Sequence, residues 1–140
     1  DFTVTGPTAG TPVTFDAVLD FHGVAFSQGE PGSGGGGRVR ALVHESAANQ
    51  VSAQQSTSGS SNVDLTQSLV LHVNAIAGTP VRLVFSVRGE CLDGQAVVEG
   101  TFRFAALPPG AAVHSCRGYT SAAQVTGRRA SWGQLKVHAR

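Results

Sequence analysis

The stretch Val13-Thr-Phe15-Asp-Ala17-Val-Leu19-Asp-Phe21 decides the fold class. Its odd positions are apolar, and its even positions are polar apart from Val18. Because successive side chains of a β-strand point to opposite faces, this alternation predicts a strand with one buried and one solvated face. Past Gly23 the apolar phase changes to Val24 and Phe26, which predicts a β-bulge or bend at the glycine.

The same alternation recurs along most of the chain. Further long strands are predicted at 63–73, 81–87 and 96–104. Shorter strands are predicted at 2–5, 38–45, 50–54, 112–115 and 134–138. No apolar stripe with helical spacing is sustained, so little or no helix is expected. About eight or nine half-buried strands predict an all-β fold, namely an antiparallel two-sheet β-sandwich that is jelly-roll-like.

One short sequence occurs twice, each time before a predicted long strand. Ala9-Gly-Thr-Pro-Val13 returns as Ala77-Gly-Thr-Pro-Val81. Glycine permits a turn with positive φ, and proline can start a strand where no ladder N–H is needed. Two similar half-sheets, or the chance recurrence of a favourable turn, both account for the repeat.

Length and loop composition indicate a single domain over residues 1–140. The segments 28–37, with four consecutive glycines, and 54–61, rich in serine, are predicted to be flexible loops. Residues 1–8 hold a short β-prone sequence followed by Gly6-Pro7, which predicts an exchangeable edge strand.

The composition favours an exported protein. Charged residues make up 14% of the chain, glycine occurs 18 times, and the formal net charge is +1. Low charge with abundant glycine is typical of extracellular β-rich modules, and the weak net charge argues against nucleic acid as a partner. The chain has no Met and starts at Asp1, which favours removal of a signal peptide and a secreted or cell-surface location. No apolar run is long enough for a membrane span.

The chain has two cysteines, Cys91 and Cys116. Both lie in polar, turn-like sequence at predicted strand ends, which suits one structural disulfide in an oxidising compartment. Two unrelated free thiols are the alternative. No Cys-x-x-Cys spacing is present, so redox chemistry is not expected.

The sequence lacks motifs for catalysis. No Gly-x-Ser-x-Gly, His-x-His or His-x-x-x-His pattern occurs, so no hydrolase nucleophile and no pair of zinc ligands is assigned. The histidines are interpreted as exposed residues of a sheet face. We expect a protein that is not an enzyme and that has no cofactor and no metal site.

Tyr119 and Trp132 are the candidates for an aromatic platform of the kind that holds sugar rings. A single tryptophan near a terminus is also interpreted as a plug that closes the end of the core. A carbohydrate- or surface-ligand-binding module without catalysis is therefore the alternative function, with glycans as partners.

As a whole, the chain resembles the secreted bacterial β-sandwich domains that precede sorting tails of the PEP-CTERM kind. The similarity lies in the repeated AGTPV turns, the Gly-rich loop before Arg38-Val-Arg-Ala-Leu-Val43, and the stretch 102–115 with its Leu107-Pro-Pro-Gly110. The sequence departs from that family at 131–136, where no Pro-Glu-Pro follows. The resemblance implies an exported surface or matrix protein, and it assigns no site residues.

Charge order along the chain favours self-association. Residues 1–37 contain four acidic residues and no Lys or Arg, whereas residues 100–140 contain six basic residues and no acidic one. Local compensation within one fold is the alternative. The favoured function is an extracellular structural or assembly subunit of a bacterial surface layer, matrix or filament, whose partner is a second copy. Its contacts are predicted at Asp1, Phe2, Val4, Arg128, Arg129 and Lys136.

Overall fold

The computed structural model contains ten β-strands and no helix among the residues that it describes. These are residues 1–6, 8–28, 36–58, 61–92, 94–115 and 117–122. The strands are β1 Phe2–Thr5, β2 Pro12–Ser27, β3 Gly37–His44, β4 Gln50–Ser56, β5 Asn62–Ile76, β6 Pro80–Val81, β7 Val84–Cys91, β8 Gly94–Ala105, β9 Ala112–Ser115 and β10 Thr120–Ala122. All pairings between described strands are antiparallel. The predicted all-β class is confirmed.

The described strands form three sheets, whereas the sequence predicts two. One sheet has the order β10-β9-β1-β6, and the others have the orders β5-β2-β8 and β4-β3-β7. The chain crosses from the first sheet to the third between Val81 and Val84, so the run predicted as one strand at 81–87 serves two sheets. A two-sheet sandwich with jelly-roll topology is therefore not confirmed.

β2 is the longest strand and the centre of its sheet. It pairs with β5 over fifteen residues and with β8 over twelve, without interruption. The odd positions stay buried from Val13 through Gly23 to Ser27. The bulge predicted at Gly23 is therefore wrong, because Val24 and Phe26 lie on the outer face, where Phe26 is 45% exposed.

The reason for the glycine lies in how closely β2 approaches the β4-β3-β7 sheet. A Cβ atom at Gly23 would overlap with the side chain of Val39 in β3 and lie 3.1 Å from Cγ1 of Val98. A Cβ atom at Gly89 in β7 would lie 2.9 Å from the same Val98 atom. Because protein interiors are closely packed, a larger residue at either glycine must push a neighbour away.

The two copies of Ala-Gly-Thr-Pro-Val form adjacent turns. Gly10 and Gly78 have φ values of 80° and 87°, so the predicted positive-φ turns are confirmed. The N–H of Gly10 donates to the carbonyl oxygen of Ala77 at 2.9 Å, which joins the two copies. Pro80 starts the two-residue β6 rather than a long strand, so the repeat marks two turns and not two equivalent half-sheets.

The core follows the predicted phase of the long strands. Phe85 and Phe102 are half-buried and pack against the core from its margin. Other apolar side chains in the alternating phase of the predicted long strands are buried, namely Phe15, Leu19, Phe21, Leu69, Leu71, Leu83 and Phe104. No buried side-chain nitrogen or oxygen of the described residues lacks a hydrogen-bond partner.

The predicted edge strand and loops need correction. β1 lies between β9 and β6, so it is a central strand of its sheet and not an edge.

Gly37 belongs to β3 and residues 54–56 belong to β4, so both predicted loops are shorter than expected. Residues 29–35 and 59–60 of those loops lie outside the described residues, as does the strand predicted at 134–138. The three-residue β10 is too short to show periodicity, and it was not predicted.

Replacing Phe15 by alanine is expected to lower the free energy of unfolding by about 3–5 kcal/mol, because its side chain is fully buried in β2. Phe85→Ala is expected to cost less, because that ring is half-buried. Urea denaturation with an unchanged m-value measures both effects. A loss below about 1 kcal/mol for Phe15→Ala would mean that the inner face of β2 is assigned incorrectly.

Gly23→Ala is expected to destabilise the fold by about 1–3 kcal/mol, because the added methyl group overlaps with Val39. Val39→Ala creates the missing space, so the double variant should lose less than the sum of the two single losses. Urea denaturation of the four proteins completes this double-mutant cycle. Strict additivity would show that the two positions are not in contact.

Candidate functional site

An aromatic cluster connects the three sheets. It consists of Phe2 from β1, Phe85 from β7, Phe102 and Phe104 from β8, and Tyr119 from the turn before β10. The ring of Phe2 contacts the other four edge-to-face, with centroid distances of 5.2 to 6.5 Å. Each such contact contributes about 0.5–1.5 kcal/mol beyond the burial of apolar area. Phe2 therefore anchors the four-stranded sheet to the other two.

One side of the aromatic cluster is half-buried. Phe85 and Phe102 stack with their centroids 4.8 Å apart and their planes 23° from parallel. The Tyr119 ring lies 4.9 Å from Phe102, tilted by 46°, and it also contacts Phe104 at 5.8 Å. Tyr119, predicted as a sugar platform, is thus packed among phenylalanines. Trp132, the other predicted platform residue, lies outside the described residues.

The outer face of the β5-β2-β8 sheet carries cross-strand contacts between carboxylates and the side chains of histidine or arginine. Asp16 of β2 lies 2.5 Å from Nδ1 of His72 in β5. Asp20 of β2 accepts a hydrogen bond from Nε of Arg103 in β8 at 3.1 Å. Antiparallel register explains both pairs, because Asp16 is directly opposite His72 and Arg103 is diagonal to Asp20.

His22 lies between two carboxylates further along the same face. Its Nε2 is 3.2 Å from Asp64 of β5, and its Nδ1 is 3.7 Å from Glu99 of β8. The two acids face opposite nitrogens of the ring, whereas a metal ion requires donors that converge on one point. The described residues hold no group of three or more His, Cys, Asp or Glu side chains suited to a metal ion. These side chains are largely exposed, so the pairs add little stability.

Cys91 has a free thiol in the structure. Its Sγ donates to the carbonyl oxygen of Phe26 at 2.9 Å, at the end of β7. The disulfide predicted between Cys91 and Cys116 is therefore not seen. Cys116 itself lies outside the described residues.

The described ends of β7 and β9 lie far apart in the fold. Ser115, at the end of β9, pairs with Phe2 of β1. The ring of Phe2 packs on Phe104 of β8, and Phe104 lies opposite Ala17 of β2. Phe26, which contacts Cys91, lies nine residues further along β2, or about 30 Å in an extended strand. A disulfide requires Cα atoms within about 7 Å of each other. Cys91 and Ser115, the described residues at the ends of β7 and β9, are therefore well beyond this distance from each other.

The described residues include three of the predicted assembly residues. Asp1 is exposed, but Phe2 and Val4 are buried, with 8% and 0% of their surface exposed. They can meet a second copy only if β1 leaves its sheet. The basic residues Arg128, Arg129 and Lys136 lie outside the described residues.

Comparisons with known proteins give no relative. No protein-family model matches the chain, and no curated protein or solved structure is significantly similar to it. No family is assigned. The resemblance to secreted bacterial sandwich domains stays a prediction. Among the described residues, no helix has the length and apolar character needed to cross a membrane.

We expect Cys91 to be alkylated when the unreduced protein is unfolded in urea, because its thiol is free in the structure. Intact mass and peptide mapping measure the modification. A chain that takes up no alkyl group until a reductant is added, with a Cys91–Cys116 peptide in the digest, would restore the disulfide predicted from sequence.

Proposed function

We propose that this chain is a non-catalytic, extracellular structural subunit that pairs with further copies of itself through an edge strand. The subunit would belong to a surface layer, matrix or filament. The edge is β4, in place of the β1 strand that the sequence suggested. The observation that carries the proposal is that β4 is a seven-residue edge without a charged residue or proline.

The free side of β4 is suited to pairing. Among the described residues β4 pairs with β3 alone, at the end of its sheet. Its sequence is Gln50-Val-Ser-Ala-Gln-Gln-Ser56. An edge strand presents backbone N–H and C=O groups in a row, and natural proteins usually protect such an edge with charge, proline or shortness. β4 has none of these protections.

The other edge strands of the described sheets each carry at least one charged residue or are shorter than β4. β7 carries Arg88 and Glu90, which form an ion pair at 2.7 Å. β8 carries Glu99 and Arg103, and β5 carries Asp64. β6 and β10 have only two and three residues. The contrast makes β4 the best candidate for strand addition among the described strands.

Antiparallel pairing of two β4 strands joins two three-stranded sheets into one of six strands. In the register centred on Ala53, Ser52 lies opposite Gln54 of the second copy. Both side chains are exposed and uncharged, so hydroxyl and amide groups can hydrogen-bond across the pair. Such a contact has two-fold symmetry and closes on itself, so a larger assembly needs a second contact.

Charge supplies that second contact in our proposal. The outer face of the β5-β2-β8 sheet gathers acidic residues from three strands, and residues 123–140 contain four basic residues and no acidic one. The acidic face of one copy would attract the basic segment of another. Added salt screens this attraction, but it affects backbone pairing at β4 much less. The acids on that face are Asp16, Asp20, Asp64 and Glu99.

The extracellular location rests on composition, namely the low charge and the high glycine content. The alternative, a glycan-binding module, requires an aromatic ring with an open face. Tyr119 packs on Phe2, Phe102 and Phe104, so the geometry gives this alternative less support.

The pair Ser52→Lys and Gln54→Lys is expected to abolish β4 pairing, because lysines would then face each other across the two-fold contact. Both positions are exposed, but Gln54 accepts a hydrogen bond from Arg38, so far-UV circular dichroism must show that the double variant stays folded. Ser86→Lys is the matched control, since Ser86 is an exposed serine on the protected edge strand β7. Light scattering at high protein concentration and high salt measures the β4 contact alone.

The wild-type protein and the Ser86→Lys variant should be dimeric under these conditions, and the double variant should be monomeric. At low salt the wild-type protein should form larger species. A wild-type protein that is monomeric at high concentration in both salts would rule out self-assembly. Binding to a panel of immobilised oligosaccharides would then favour the glycan-binding module.

A further inference from the structure

The outer face of the β4-β3-β7 sheet carries three arginines on neighbouring strands. Arg38 and Arg40 of β3 and Arg88 of β7 are exposed, in the phase opposite to the buried Val39. The strand register places Arg40 directly opposite Arg88, and Arg38 directly opposite Glu90. Neighbouring strands lie about 4.8 Å apart, and alternate residues of one strand about 7 Å, so the three arginines share a small area. We call this surface, with its polar neighbours, the arginine face.

The charges of the arginine face are only partly compensated. Arg88 forms an ion pair with Glu90 at 2.7 Å, and Arg38 donates a hydrogen bond to the uncharged side chain of Gln54. Arg40 has no ion pair and no side-chain hydrogen bond with any of the described residues. On the three described strands of this face, three positive charges therefore accompany one negative charge.

The pairing of Arg40 with Arg88 is unfavourable for the fold by itself. Like charges directly opposite each other in an antiparallel sheet destabilise it. Natural proteins break such local rules mainly at functional sites. An anion held between the two guanidinium groups would replace their repulsion by two attractive contacts, so the arrangement is suited to a negatively charged ligand.

The chemistry of the face indicates which anion it fits. The planar fork of N–H donors on a guanidinium matches a carboxylate through two parallel hydrogen bonds. The uncharged polar neighbours are hydroxyl and amide side chains, which can both donate to and accept from the hydroxyl groups of a sugar. They are Gln50, Ser52, Gln54, Ser56 and Ser86.

We propose that the arginine face binds an acidic polysaccharide through its carboxylate groups, one of which lies between Arg40 and Arg88. Nucleic acid is a less suitable ligand, because single-strand binding surfaces add aromatic rings on which bases stack. No Phe, Tyr or Trp lies on the described strands of this face. The site is contained in one copy of the chain, so it does not require β4 pairing.

Binding to immobilised polygalacturonate, a carboxylated polysaccharide, tests the proposal, with uncharged dextran as the reference surface. The wild-type protein should bind polygalacturonate and not dextran, and added salt should weaken the binding because it screens exposed charges. Arg40→Gln should weaken the binding several-fold, and the double variant with Arg88→Gln should weaken it further. Arg117→Gln is the matched control, because it removes the same charge from an exposed arginine between β9 and β10.

Stability measurements separate a binding role of Arg40 from a structural role. Arg40→Gln removes the repulsion from Arg88, so the urea midpoint at low salt should stay equal or rise. A lower midpoint together with lost binding would mean that Arg40 supports the fold, which would overturn the assignment. Equal weakening by Arg117→Gln would also overturn it, since binding would then follow net charge alone.

Other outcomes would replace the ligand. A wild-type protein that does not bind polygalacturonate, or that binds a DNA duplex equally tightly, would refute a polysaccharide site. If Arg40→Gln instead abolishes the larger species seen by light scattering at low salt, the arginine face meets the acidic face of a second copy. A protein that binds polygalacturonate but stays monomeric would refute the β4 pairing and support the arginine face.

Discussion

The ring of Phe2 is the contact on which the assembly of the three sheets depends. β1 contributes only four residues, and its neighbours β9 and β6 are also short. Such strands are marginal by themselves, because few backbone hydrogen bonds hold them. Phe2 compensates by contacting rings from β7 and β8, which belong to the two other sheets. The N-terminal strand is thereby part of the core.

Periodicity in the sequence predicts the strands well, because a half-buried strand must alternate. It misleads at Gly23, where Val24 and Phe26 are apolar but lie on the outer face. Glycine is needed at position 23 because the side chain of Val39, in a neighbouring sheet, leaves no room for a Cβ atom. Local alternation in the sequence cannot reveal this contact between sheets. The number of sheets is missed for a related reason, since alternation says nothing about which strands pair.

The positions of the candidate surfaces depend even more than the number of sheets on which strands pair with each other. The absence of charge in 50–56 is visible in the sequence, but only the strand order shows that these residues form an edge. The position of β1 between two partners, and the separation of Cys91 from the end of β9, likewise follow from long-range register. The alternation of the sequence predicts that Phe85, Phe102 and Phe104 point inward. The contact of Tyr119 with Phe102 and Phe104 cannot be predicted in this way, because Tyr119 lies in a turn without periodicity.

The position of β9 between β1 and β10 has a mechanical consequence. Both neighbours run antiparallel to β9 and hence parallel to each other. Phe2 lies at one end of this sheet, beside Ser115, and Ala122 lies at the other, beside Ala112. Tension between Phe2 and Ala122 acts along the strands, so the hydrogen bonds of both ladders carry the load together instead of opening one after another. The described sheet would therefore resist stretching between these two residues in shear.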